Sequence, residues 1–311
     1  MVNMVNIRTT ISLGRMFRIL VAGLLLAAAG GVPARAEQSA ADLQARYRSL
    51  QDQLSHNAFQ RPLFLDSTEA AEKLQGEVYA VIDHPYATVS PALQDIDHWC
   101  DILILHLNVK SCRVVSSPAS RTLEVSLGRK IDEPLDQAYP VNFDYRVAAA
   151  GDTYLQILLH ADTGPLGSRN YEIALEAVPL KAGRTFIHLS YSYSYGLSVR
   201  LAMKGYLATL GSGKVGFSVT DRRPDGAPVL INGVRGVVER NTMRYYLAIE
   251  AYLGALAVPP ADQLEKRLLD WFAATERFAL QLHELDEGDY LAMKRKEVLR
   301  QQSGAEPKTS G

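Results

Sequence analysis

Tyr191, Tyr193 and Tyr195 alternate with Ser190, Ser192 and Ser194. Residues two apart on a strand share a face, so the three phenols stand side by side with serines behind them. A row of phenols presents apolar ring faces with hydroxyl tips, which suits an amphipathic guest. The same pattern also describes a strand whose tyrosines pack in a core with hydroxyls reaching its rim. Arg240 and Arg244 lie four apart, beside Tyr245 and Tyr246. On a helix both guanidiniums then share a face, where they could grip a carboxylate or phosphate or form a surface network with Glu239 and Glu250. The candidate ligand-binding set is Tyr191, Tyr193, Tyr195, Arg240, Arg244 and Tyr245.

Other chemistry is sparse. The sequence has no G-x-S-x-G nucleophile elbow and no H-E-x-x-H zinc motif. Gly211-Ser212-Gly213-Lys214 resembles the end of a phosphate loop, but Ala208 stands where its first glycine belongs. Asp83-His84, Asp97-His98 and His106 are conceivable general bases, although Asp83-His84 suits a strand end entering a helix equally well. His188 falls on the wet side of its strand, and His283 on a helix boundary. No catalytic residue, cofactor or metal site is therefore assigned.

The two cysteines, Cys100 and Cys112, are close in sequence. An isolated pair in an exported chain reads as a disulfide. A metal site built from them with His98 and His106 would lack the close cysteine pair of a zinc knuckle.

Export is expected from the first 36 residues. Arg8, Arg15 and Arg18 precede an apolar run from Ile19 to Ala29, and Ala34-Arg35-Ala36 fits a cleavage site. The apolar run is shorter than the roughly 20 residues that span a bilayer. Of 33 basic residues, four lie in this segment, which has no acid. The remainder therefore carries 29 basic against 34 acidic residues, a net charge near −5. That balance, without a basic stripe, argues against a nucleic-acid partner. The expected location is periplasmic or secreted, with no stable membrane anchor after cleavage.

The elements that must position these residues follow from periodicity. Ser39 to Ser55 reads as an amphipathic helix. Phe59 to Asp66 is irregular around Pro62, and Ser67 suggests an N-capped helical turn up to Leu74. Gly76 to Asp83 is a strand with Val78, Ala80 and Ile82 on one face. Pro85 opens a short helix with Val89 and Leu93, and Asp95 to His106 forms a second, with Trp99. Strands are expected over Lys110–Ser116, Thr122–Gly128, Val141–Val147, Thr153–Ala161, Tyr171–Ala177 and Thr185–Tyr195, each with one buried and one wet face. A helix over Leu197–Leu210, a hairpin around 221–228, and a long helix over Gly233–Leu256 come next. Pro259-Pro260 breaks the chain before a helix over Ala261–Leu285, a last short helix over Asp289–Gln301, and a polar tail.

This order, together with Gly76-Glu77-Val78-Tyr79-Ala80-Val81-Ile82-Asp83-His84-Pro85 leading into Val89, Leu93 and Trp99, resembles the START-like superfamily. Its members are also called SRPBCC or helix-grip proteins. The chain as a whole is also similar to a family of exported bacterial proteins. The resemblance implies an α+β fold: a curved antiparallel sheet of about seven strands in the order β-α-α-β6-α, gripping a long helix around an apolar cavity. Either 197–210 or 234–256 would be the covering helix. The layout is then signal peptide 1–36, N-terminal helix and linker 37–75, helix-grip core 76–210, hairpin and helical extension 211–302, and tail 303–311.

The function expected is that of an exported binding protein for a lipid-like or other hydrophobic small molecule. The alternatives are a structural or interaction protein docking a partner through the 261–285 helix, and a cavity enzyme using Tyr or His acid–base chemistry.

Overall fold

The computed structural model describes residues 31–117, 120–196, 205 and 213–304. Residues of the expected signal segment up to 30, the 197–210 helix apart from Gly205, and the tail beyond 304 lie outside the described residues.

The described chain runs α1 (Gly31–Ser49), α2 (Gln51–Ser55), β1 (Leu63–Glu69), β2 (Lys73–Ile82), α3 (Tyr86–Gln94), α4 (Ile96–Leu103), β3 (Val109–Ser116) and β4 (Arg121–Leu127). It continues through β5 (Tyr139–Ala150), β6 (Leu155–Thr163), β7 (Arg169–Leu180), β8 (Arg184–Ser194), β9 (Val219–Arg222) and β10 (Pro228–Leu230). The last elements are α5 (Gly233–Ala255), α6 (Pro260–Glu276), α7 (Ala279–Leu282) and α8 (Glu287–Gln302).

Strands β1 to β8 form one antiparallel sheet in the order β1-β2-β8-β7-β6-β5-β4-β3. The two helices α3 and α4 interrupt it once, after β2. The architecture is α+β with a curved antiparallel sheet, the helix-grip arrangement. Register shifts at Val109/Ser111, Val147/Ala149 and Arg169/Glu172 mark irregularities of the kind that bend strands.

The sheet has eight strands rather than about seven because Leu63–Glu69 is a strand, not an irregular stretch running into a helical turn. It pairs along its length with β2, Leu63 opposite Ala80 and Glu69 opposite Leu74. Ser67, which suggested a helix cap, instead donates its hydroxyl to Glu239 on α5 at 2.6 Å. The tertiary pairing overrides the local capping preference.

Among the described residues, α5 is the helix that the sheet grips. It packs on β1, β2 and β8 and is buried nearly all round. Gly76 permits this approach. A Cβ there would stand 2.2 Å from Thr242 Oγ1 and 3.3 Å from the Val238 carbonyl. The inner faces of the strands, including Val78, Leu123, Phe143, Ile157, Ile173 and Leu189, join α3, α4, α5, α6 and α8 in one core.

The outer face is not simply wet, as alternation suggested. Leu43, Leu50 and Leu54 of the N-terminal helices cover Tyr79, Val81, Tyr154, Val178 and Phe186 in a second cluster. His188 on this face is half-buried, stacked on Tyr79 and held between Glu176 at 2.9 Å and Glu77 at 3.2 Å.

The expected 261–285 helix divides. It ends at Glu276, and Phe278 turns away to pack against Phe59 and Phe217. Leu268 and Trp271 of α6 are buried in the chain's own core, Trp271 stacking on Tyr290 of α8 at 5.0 Å. No helix among the described residues is long and apolar enough to cross a membrane.

Candidate functional site

The disulfide joins Cys100 of α4 to Cys112 of β3, with Cα atoms 5.1 Å apart. It fixes the helix pair against the sheet beneath α5. No group of His, Cys, Asp and Glu among the described residues has the geometry to hold a metal ion.

Alternation on β8 places Tyr191 and Tyr193 on the inner face. Tyr191 is opposite Gly76 and Tyr193 opposite Leu74. Because Gly76 lets α5 come close, Tyr245 reaches Tyr191, with ring centroids 5.2 Å apart. Tyr171, from the adjacent strand β7, stacks on Tyr193 at 5.2 Å. Sequence reasoning placed Tyr171 on a strand but did not connect it with this cluster, since only the β7–β8 register does so.

The hydroxyls differ sharply. Tyr171 pairs with Ser168 at 2.8 Å, and Tyr195 donates to Glu69 at 2.9 Å. Tyr195, buried in the same core, thus ties the end of β8 to the edge strand. The hydroxyls of Tyr191, Tyr193 and Tyr245 make no hydrogen bond with the described residues. Burial raises all three phenols, Tyr193 and Tyr245 beyond the ordinary titration range. Tyr245 is half-buried and packed against the core. Buried hydroxyls are normally paired, and the described residues supply these three with no partner.

His106, just beyond α4, stacks on Tyr245 at 4.8 Å. Its Nδ1 accepts the Asn108 backbone N–H at 3.1 Å, so the neutral ring carries its proton on Nε2. That Nε2 is buried and has no partner. Burial, reinforced by Arg244 and Lys130, holds the His106 pKa well below its usual value. The ring therefore offers a donor, while its one lone pair is already engaged.

Arg240 and Arg244 do not form the surface network considered from their spacing. They are 1% and 0% exposed. Arg240 donates to the Val215 carbonyl at 3.1 Å. Arg244 donates to the Leu282 carbonyl at 3.1 Å and to Glu284 at 2.9 Å. Their expected carboxylates are used elsewhere: Glu239 accepts Ser67 and the backbone N–H groups of Phe217 and Ser218, and Glu250 pairs with Arg61.

Glu284 also accepts Lys130 at 2.5 Å and lies 3.5 Å from Lys214. Burial alone would raise this carboxyl, but Lys130, Arg244 and Lys214 hold it below its usual range. Lys130 is lowered to about 7, first by burial and then by Arg244. Lys130 carried no signal in the sequence, and Lys214 entered it only as the end of the phosphate-loop-like run Gly211-Ser212-Gly213-Lys214.

Asp83 and His84 lie elsewhere. With Arg61, Glu250 and Arg277 they line an open groove of about 930 Å³ between the start of β1 and helices α5 and α6. A second groove of about 860 Å³ runs between β1 and the β9–β10 hairpin. Phe59 and Phe278 stand between the two.

No family model matches the sequence, and no curated protein matches it. Solved structures do align with the fold. Ara h 8.0201 aligns at 15% identity over 59% of this chain and 99% of its own, with a TM-score of 0.34. Human StAR-related lipid transfer protein 5 aligns at 8% identity over 55% and 90%, TM-score 0.28. The Zhui aromatase/cyclase from Streptomyces sp. R1128 aligns at 12% identity over 73% and 95%, TM-score 0.28.

Proposed function

We propose that this chain is an exported binding protein for a hydrophobic small molecule held between the inner face of the sheet and α5. The observation that carries the reading is the set of unpartnered hydroxyls on Tyr191, Tyr193 and Tyr245. An enclosed apolar space with a few convergent polar groups is the general form of a small-molecule site. Rings from β7, β8 and α5 supply the walls, and the hydroxyls supply donors for a guest's polar atoms.

Membership of the START-like superfamily accords with the element order and with the gripped helix. Export accords with the basic and apolar N-terminal residues, with the Cys100–Cys112 disulfide, and with the lack of a membrane-crossing helix among the described residues. Catalysis is less well supported. A general base needs a free lone pair, and His106 has given its own to the Asn108 N–H.

The test is native mass spectrometry of the purified mature chain, followed by solvent extraction. A bound hydrophobic molecule, released on denaturation, is the expected result. A guest-free protein that also fails to take up any fluorescent fatty acid would contradict the reading.

A further inference from the structure

The interior polar groups beside Tyr245 do not balance. Lys130, Lys214, Arg240 and Arg244 bring four basic groups together, Lys130 being lowered to about 7, and Glu284 is the carboxylate that Lys130, Lys214 and Arg244 share. Arg240 adds its charge from one turn of α5 earlier, donating to the Val215 carbonyl. Arg244 is fully buried, and the side chains of Lys130 and Lys214 are each only 23% exposed. Concentrating like charges away from water is costly unless counter-charge is present. The second observation is independent. His106 Nε2 carries a hydrogen-bond donor, is buried, and has no acceptor.

From this imbalance we infer that the cluster receives the anionic oxygen head group, carboxylate or phosphate, of an amphipathic molecule. This rests on the proposed hydrophobic-ligand function and specifies its guest. The charge excess matches an anion, and charge-assisted hydrogen bonds from Lys and Arg to such oxygens are among the strongest in proteins. His106 Nε2–H adds a neutral donor on the side of Tyr245. The apolar body then lies against Tyr245, Tyr191 and Tyr193, so head and tail are addressed by contiguous residues. Lys130 and Lys214, the least buried members, stand nearest to solvent. Lys130 is lowered to about 7, first by burial and then by Arg244, with Glu284 opposing both.

Calorimetric titration with octanoate, octyl phosphate, 1-octanol, acetate and inorganic phosphate separates the possibilities. Octanoate or octyl phosphate binds at least tenfold more tightly than 1-octanol, and the tighter of the two identifies the head group. Lys130→Gln and Lys214→Gln each weaken the anion about tenfold and leave 1-octanol unchanged, with circular dichroism confirming the fold. Equal binding of 1-octanol and both anions overturns the head-group inference while sparing the hydrophobic-ligand function. An anion preference untouched by both lysine variants overturns it as well. Binding of acetate or inorganic phosphate without any gain from the eight-carbon chain supports the anion site and contradicts the apolar guest. No binding of any probe overturns both.

Discussion

Tyr245 of α5 meets Tyr191 of β8 with ring centroids 5.2 Å apart, directly where β2 carries Gly76 opposite Tyr191. The missing side chain on β2 and the phenol on β8 act together. One lets the helix in, and the other meets it.

Gly76→Val tests that docking. A Cβ would press on Thr242 Oγ1 and on the Val238 carbonyl, and backbone cannot swing aside as a side chain can. Overpacking of this kind costs about 1–3 kcal/mol, read as a lower midpoint in thermal or urea denaturation. Gly151→Ala, whose Cβ would meet nothing nearer than 4.0 Å, should stay close to wild type.

The tyrosine hydroxyls should separate by mutation. Tyr191→Phe and Tyr193→Phe remove hydroxyls that have no partner among the described residues, so stability should change by less than about 0.5 kcal/mol. Tyr195→Phe removes the bond to Glu69 and should cost about 1 kcal/mol. Equilibrium urea denaturation of the three variants checks this, and a costly Tyr191→Phe would mean that its hydroxyl is engaged.

The disulfide was readable from two cysteines and an export segment, and the tyrosine row from period-two alternation. The remainder of the site was not. His106 and Lys214 were each named in the sequence, as a conceivable base and as the end of a phosphate-loop-like run, but not as neighbours; with Lys130 and Glu284 they come from loops that only the tertiary fold brings together, and no local period marks them. Arg240 and Arg244 were visible, but their burial depends on what packs around α5. Edge strand β1 was hidden because Ser67 and Pro62 locally favour a cap and a turn, while pairing with β2 decides the outcome.

Replacing Cys100 and Cys112 by serine should lower stability by about 3 kcal/mol, mainly by freeing the unfolded chain. Thiol labelling of the denatured, unreduced wild type should find no reactive cysteine, since both are bridged.

Stability should depend on pH through two buried lysines. Lys130 is lowered to about 7 and Lys294 to about 8, each first by burial. Lys130 faces Arg244, Arg240, Lys214, His106 and Glu284; Lys294 faces Glu297, Lys110 and Arg300. Unfolded lysines keep their protons to about pH 10.4. From pH 8 to 9.5 the unfolded chain therefore binds more protons, and stability rises with pH. His188 acts in the opposite sense. Burial would lower its pKa, but Glu176 and Glu77 raise it above its ordinary value, so its contribution is complete below about pH 6.5 and fades as pH rises. Urea denaturation across pH should show a shallower rise in Lys130→Gln than in wild type, by on the order of 1–2 kcal/mol.

The central claim is a guest-sized void walled by Tyr191, Tyr193 and Tyr245. Its most direct measurement is titration of wild type and Tyr193→Trp with a fluorescent fatty acid. Saturable one-to-one binding by wild type, lost when the larger ring fills the space in a protein that still melts cooperatively, is the predicted result. Equal binding by both proteins, or none by wild type, would contradict it.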